Sequence, residues 1–359
     1  MAKKASNKHI LVIRLSAMGD VAMTIPHILA LRKQHPEVAL TVLTKPHFIP
    51  IFSGIESIST IAADVKKRHK GISGLWKLYR ELKSIGITDI ADLHGVLRSR
   101  VLSFFALLDR VKTEVIDKGR SEKKALTRPK HKRFVQLKTT IARYQVVFGD
   151  LGFPIDVSQE NILPPPKLFA SATNFFSKRK GCLVGIAPFA AHEGKMYPLE
   201  LMEEVIEKLL NKEDCQILLF GGGKKETAQL ESLASRFQEN VQSVAGKITF
   251  GEELALISRL HIMVAMDSGN GHLAANYGVP VVTIWGVTHP FAGFAPFNQP
   301  KANAILPDLE EYPKIPTSIY GNSYPEGYEL AIHSIEPRRI VKRVTEILNS
   351  AKESDSIGA

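Results

Sequence analysis

Two aspartates in this 359-residue chain are placed where chemistry could be done. The first lies in ILVIRLSAMGDVAMTIP (Ile10 to Pro26), where Gly19 and Asp20 close a turn after an apolar, β-branched run and Asp20 stands at or near the start of a helix. An aspartate there caps a helix well, and the same carboxylate could serve as a modest general base, so both readings stay open. The second lies in MVAMDSGNGHLAANYGVPVVTIWGVTHP (Met263 to Pro290), where a strand ends at Asp267, a Ser-Gly-Asn-Gly turn follows, and a helix begins near His272. Such a turn presents free backbone N–H groups and a helix N-terminus, a natural cradle for a diphosphate. A cap at Asp267 and a packed histidine at His272 would account for the same residues.

The elements that must position these residues follow from alternating periods. A β-branched run at Ile10 to Leu15, a turn at Ser16 to Asp20, a helix over Ala22 to Gln34 and a strand over Ala39 to Thr44 make a βαβ unit, which implies a parallel sheet. The alternation continues with a helix over Leu75 to Ser84, a strand over Asp89 to Leu93 and helices over Arg98 to Leu108 and Phe134 to Leu151. Three consecutive prolines in Ile162 to Lys167 then mark a stiff linker. The same grammar restarts with strands Cys182 to Ala187, Gln216 to Phe220, Ile262 to Ala265 and Val281 to Trp285, separated by helices at Pro198 to Leu210, Lys224 to Phe237, Phe250 to Arg259 and Asn270 to Tyr277. The expectation is therefore α/β: two Rossmann-like, doubly wound domains, 1–163 and 168–335, with ligand held in a central cleft between them. Pro296 to Glu329 reads as an irregular excursion, and 336–359 as a closing helix and tail that could pack back on the N-terminal domain.

Composition bounds the possibilities. With 44% hydrophobic and 23% charged residues the chain is ordinary globular protein, long enough for two cores. Cys182 and Cys215 are too far apart in sequence, and too isolated from histidines, to suggest a zinc site or a disulfide framework, and a reducing cytoplasm suits them. The basic N-terminus lacks a signal-peptide core, and no apolar run approaches the ~20 residues that cross a bilayer. Much of the net charge of +11 is local: Lys118 to Arg133 holds eight Lys/Arg against one acid, Glu122. Such a patch would attract nucleic acid, anionic lipid or an acidic small substrate.

Taken together, Ser16, Gly19, Asp20, Val21, Thr24 and Pro26, followed in order by Asp267 to Ala275, resemble the heptosyltransferases, the family 9 glycosyltransferases of lipopolysaccharide-core synthesis. The resemblance implies the GT-B fold, with acceptor on the N-terminal side and nucleotide-sugar on the C-terminal side. It implies an inverting transfer without metal or other cofactor, with Asp20 taking the acceptor's proton. Lys195, in Gly-Lys-Met-Tyr-Pro, matches a lysine that contacts the donor diphosphate, though Tyr197 stands where tryptophan is usual. Glu226 matches an acid that holds the donor ribose, Asp267 one near the donor sugar, and Ser268, Gly269, Asn270 and His272 the phosphate-cradling turn. Asn270 and Gly271 depart from the commoner residues there. On the acceptor side the resemblance implicates Ser16 and Gly19, His94 and Arg98 in LHGVLRS, and Arg120, Lys123 and Lys124 in a mobile basic loop. The donor implied is ADP-heptose and the acceptor an anionic lipopolysaccharide core, reached by peripheral contact with the inner membrane. The family's cysteines in the Asp308 to Tyr328 region are absent.

Two other functions compete. Another GT-B transferase or a nucleotide-sugar epimerase would share the diphosphate cradle but not the acceptor-side residues. A nucleic-acid-binding protein would explain a pI near 9.5, but it should interleave aromatic residues with cations, and Lys118 to Arg133 contains none.

Overall fold

The computed structural model describes residues 8–176 and 181–357. Two all-parallel sheets form, as the alternating pattern requires. The first runs β3-β2-β1-β4-β5, with β1 His9–Ile13, β2 Ala39–Thr44, β3 Ser59–Ala62, β4 Asp89–Asp92 and β5 Lys112–Val115. The second runs β11-β10-β9-β6-β7-β8, with β6 Cys182–Ala187, β7 Cys215–Leu219, β8 Val241–Ser243, β9 Ile262–Met266, β10 Val281–Ile284 and β11 Ala304–Ile305. Crossover helices cover parallel strands on both faces, so central strands must be apolar throughout. Residues 10–13 of β1 and all of β6, β7, β9 and β10 are buried accordingly.

Strand order reverses between β1 and β4 in the first sheet and between β6 and β9 in the second. Open α/β sheets bind ligands beyond the carboxyl ends of their strands at such switch points. Asp20 follows β1, His94 follows β4, Lys195 follows β6 and Asp267 follows β9.

The compact units differ from the expected 1–163 and 168–335. One comprises residues up to 119 together with 138–163; the other comprises 120–137 and everything from 164 onward. The basic segment joins the second unit because Leu126 and Leu137 are buried with Ala292, against Phe291, Phe294 and Ile319. The closing helix is Pro337–Ile357. It buries Ile340, Val341, Val344 and Leu348 with Val205, Ile206 and Leu209 of the helix Leu199–Lys212, completing the second unit's own core.

Three helix boundaries move for local reasons. The expected helix over 22–34 is two pieces, Met18–Ala22 and Ile25–Gln34, with Pro26 in the first turn of the second, where its missing N–H costs nothing. The expected helix over 134–151 starts only at Thr140, where Thr139 Oγ1 accepts the Ala142 N–H at 3.1 Å. The Ser-Gly-Asn-Gly segment is not a turn ahead of a helix. Ser268 is the cap, and Gly269–Ala275 is the helix.

Candidate active site

In the first unit, Asp20 is the third residue of the short helix Met18–Ala22 and reaches back to its own N-cap, with Oδ2 accepting the Ala17 N–H at 3.2 Å. This is half of the capping reading. Gly19 is not in a left-handed turn; it lies within the helix, its carbonyl accepting the Met23 N–H at 2.9 Å. The Arg14 guanidinium, 8% exposed, grips the same Oδ2 through Nη2 while Nη1 donates to the Leu93 carbonyl at 2.6 Å. Burial works against Arg14's charge, but Tyr144, Asp20 and Asp92 outweigh it and hold its pKa above the ordinary arginine value. Tyr144 also donates to the Asp20 carbonyl at 3.2 Å. The Ala17 hydrogen bond and the Arg14 ion pair thus both engage Oδ2. The side chain is 24% exposed.

Beyond β4, Asp92 is fully buried and its Oδ1 accepts the backbone N–H groups of His94 (2.9 Å) and Gly95 (2.8 Å). These bonds shape the turn that Gly95 completes at φ +56°, where an added Cβ would stand 3.2 Å from Ile116 Cγ2. Burial pushes the Asp92 carboxyl up from its ordinary value in spite of those bonds. His94 lies in the same turn. It is 7% exposed, and its Nδ1 accepts the Leu15 N–H at 2.9 Å, tying β4 to β1. That bond fixes the Nε2–H tautomer. Burial, with the Arg14 and Lys118 charges, pushes the imidazole down to about 3. Arg98 is exposed, at the second position of the helix Leu97–Leu108, and Ser16 is half-buried just past β1. Neither is drawn into the cluster. The groups that sequence reasoning passed over are Arg14, Asp92 and Tyr144. Of these Arg14 left a signal, a cation inside the apolar run Ile10 to Leu15.

In the second unit, Lys195 Nζ meets Asp267 Oδ2 at 2.7 Å and the Asp267 carbonyl at 3.1 Å. Thr288 donates to the same Oδ2 at 3.0 Å. A cation, an acid 7% exposed and the first N–H groups of the helix Gly269–Ala275 are thereby gathered at the carboxyl end of β9. Lys195 is not an exposed capping residue, because three glycines enclose it. The Val287 N–H bonds the Gly194 carbonyl at 2.8 Å, and a Cβ on Gly286 would stand 2.1 Å from that carbonyl oxygen. A Cβ on Gly321, which has φ +78°, would stand 2.5 Å from Lys195 Cγ. The Pro296 to Glu329 excursion therefore has a local function, laying Gly321 over the lysine's stem. At the end of β7, Gly223 caps the helix Lys224–Ala234 at φ +82°, and Glu226 Oε2 accepts the Gly222 N–H at 2.8 Å. Ser268 Oγ is buried and has no hydrogen-bond partner among the described residues; His272 is buried. Asn270 lies in the first turn of its helix.

Arg120 begins the helix Arg120–Thr127. Lys123 stands over the Phe294 ring at 4.3 Å, and Lys124 is exposed. The same segment is anchored by Lys132, which donates to the carbonyls of Lys314 and Pro316.

A family model described as glycosyltransferase family 9 (heptosyltransferase) matches residues 75–321. The chain belongs to this family. It is a glycosyltransferase of the GT-B fold. The matched stretch includes Lys195, Glu226 and Asp267 to His272, and begins beyond Asp20. The lipopolysaccharide core heptosyltransferase OpsX of Haemophilus influenzae is 23% identical over 292 residues, 81% of this chain and 82% of its own. Among solved structures, a family 9 glycosyl transferase from Veillonella parvula superposes with a TM-score of 0.73 at 21% identity, covering 98% of this chain and 100% of that one. The heptosyltransferase WaaC of E. coli, solved with ADP, has a TM-score of 0.66 at 18% identity, covering 94% and 99%. Membership separates this glycosyltransferase from the epimerase reading. No helix among the described residues is long and apolar enough to cross a membrane.

Proposed function

We propose that this family 9 enzyme moves heptose from ADP-heptose to an anionic lipopolysaccharide inner-core acceptor, with inversion at the anomeric carbon and without a metal ion. The observation that carries the reading is the Asp20 carboxylate, held through Oδ2 by Arg14 and Ala17 and still 24% exposed at a switch point of strand order. As the acceptor oxygen bonds to the anomeric carbon, its proton passes to Asp20, the bond from carbon to phosphate oxygen breaks, and ADP departs with the electron pair. A carboxylate suffices because the hydroxyl becomes acidic only as that bond forms. The charge that develops on the diphosphate meets Lys195 and the backbone N–H groups at Ser268 to Asn270, which are fixed before reaction and need little reorganisation.

Glu226, which accepts the Gly222 N–H, takes the ribose hydroxyls in this reading, and His272 lies on the helix after β9 of the same sheet. On the acceptor side Ser16, Gly19, His94 through Nε2–H, and Arg98, with Arg120, Lys123 and Lys124, supply donors and positive charge for acidic sugars or phosphates. The donor is supported by the family, by OpsX, and by WaaC structures solved with ADP and with ADP-2-deoxy-2-fluoro heptose. The place of action is the cytoplasmic side of the inner membrane, and nucleic acid is not a partner.

The test is transfer from ADP-heptose to a purified core acceptor in the presence of a chelator, with wild type beside Asp20→Asn. Product formation by wild type and its loss in the variant are expected. Full activity of the variant sinks the mechanism. A parallel binding comparison of ADP, UDP and GDP, repeated with Lys195→Ala and Glu226→Ala, tests the donor: equal affinity for all three would remove the heptose assignment.

A further inference from the structure

In the first unit the helices Gly71–Ser84 and Leu97–Leu108 lie side by side. Their inner faces bury Leu75, Leu78, Tyr79, Leu82, Leu102 and Ala106 in one core. A surface helix should turn polar on its outer face; here large apolar side chains are exposed among the cations. Leu97 is 79% exposed, Ile72 73%, Leu107 68%, Leu108 65%, Phe104 56% and Trp76 44%. Trp76 meets Phe105 edge-on at 4.9 Å between ring centroids, and Phe105 lies 6.1 Å from Phe104, so aromatic contact joins the two helices at the surface. Single exposed apolar residues are normal; six on two adjoining helices are a patch.

The charges around that patch have one sign. Residues 66–84 and 97–110 contain ten Lys/Arg, all exposed, against two acids, Glu81 and Asp109. Both acids are already paired, Glu81 with Arg68 and Asp109 with Lys83 at 2.7 Å. We infer that this face docks on an anionic lipid bilayer, with Trp76, Phe104, Leu107 and Leu108 at the boundary between headgroups and acyl chains and the flanking lysines and arginines on the phosphates.

Charge complementarity selects this occupant. A second copy of the chain joined through the same face would bring two strongly positive rims together, which costs association energy. An anionic leaflet offers hydrocarbon for the apolar residues and negative headgroups for the rim at once. Position agrees: Leu97 lies four residues beyond Leu93, whose carbonyl accepts from the same Arg14 that holds Asp20. The docking face therefore begins at the edge of the candidate acceptor site. The inference rests on the proposed function only in expecting the acceptor to be presented by a lipid surface.

The experiment is vesicle flotation of the full chain with phosphatidylcholine vesicles, with and without phosphatidylglycerol, comparing wild type with the double variants L107E/L108E and K77E/R80E. Wild type should bind the anionic vesicles at least about ten-fold better than the neutral ones, and high salt should release it. Each double variant should lose most of that binding while keeping wild-type ADP affinity and unfolding temperature. Wild type that ignores anionic vesicles, or variants that bind them equally, would overturn the inference. So would a wild-type dimer that L107E/L108E dissociates, or salt-sensitive binding to duplex DNA in place of vesicles. Flotation is read without turnover, so vesicle binding with no heptose transfer would keep the surface and remove the proposed reaction.

Discussion

Arg14 holds the Asp20 carboxylate with one arm of its guanidinium and the Leu93 carbonyl with the other, so a residue inside β1 joins the candidate base to the end of β4. The planar fork is what allows both bonds at once; a lysine ammonium is a single point and must choose. Arg14→Lys is therefore expected to keep the fold and ADP affinity but lower kcat about ten-fold. Asp20→Asn should lower kcat by about 10²- to 10⁴-fold, again with ADP affinity unchanged. Steady-state kinetics beside calorimetric ADP titration separates the two effects. A loss of ADP binding equal to the loss of rate would show that the pair supports the fold and not the reaction.

Lys195 and Asp267 form a buried pair, 14% and 7% exposed, with Thr288 as the acid's third bond. Removing the cation alone leaves a buried carboxylate short of its main partner, which typically costs about 3–5 kcal/mol. Lys195→Met should therefore lower the unfolding temperature and weaken ADP binding together. The double variant Lys195→Met/Asp267→Asn should recover most of the stability and none of the ADP affinity. Recovery of both would show that the lysine serves only its acid.

Gly321 and Gly286 both pack against the Gly194–Lys195 segment, with different expected consequences. A methyl on Gly321 meets the flexible stem of Lys195 at 2.5 Å and a left-handed φ, so Gly321→Ala should fold, lose about 1–2 kcal/mol, and displace the ammonium from its place by Asp267. ADP affinity should fall about ten-fold, since a cation's electrostatic contribution depends on placement. A methyl on Gly286 meets the Gly194 backbone oxygen at 2.1 Å, which cannot rotate away, so Gly286→Ala should give little folded protein. Thermal unfolding of both variants checks this; equal behaviour would mean that the three-glycine enclosure is not what positions Lys195.

The sequence displayed the long, buried parts of this fold and hid the short ones. The central strands β1, β2, β6, β7, β9 and β10 announce themselves because burial on both faces demands apolar runs. β3, β5, β8 and β11 have two to four residues and carry polar side chains such as Ser59, Thr60, Lys112 and Glu114, so no period can emerge. The site was legible where chemistry needs a particular residue after a strand, as at Asp20 and Asp267. It was not legible where partners come from distant segments: Thr288 and Gly321 touch the Lys195 environment from 93 and 126 positions along the chain. The assignment of residues 120–137 failed for the same reason, since Leu126 finds Ala292 only in three dimensions.

Buried histidines make the stability of this enzyme depend on acid, and His94 gives the effect a test inside the candidate site. Its folded pKa of about 3 lies below the ordinary 6.5, and His27 and His289 are each lowered to about 4 by burial. In each case the unfolded chain takes up a proton that the folded chain refuses, so stability is fully present above about pH 6.5 and is lost as pH falls toward the folded values. Glu253 opposes them, because burial raises it to about 7 and the folded chain keeps its proton where the unfolded one releases it. Near pH 5.5 three histidines against one glutamate leave a net uptake of about two protons on unfolding, a slope of roughly 3 kcal/mol per pH unit. His94→Asn can keep the Leu15 N–H bond through its amide oxygen while removing one titrating group, so the slope should fall by about half; Glu253→Gln should steepen it. Urea unfolding from pH 7 to pH 5 reads both changes. An unchanged slope in His94→Asn would mean that the histidine already carries its proton in the folded protein, and Nδ1 could not then be the acceptor that joins β4 to Leu15.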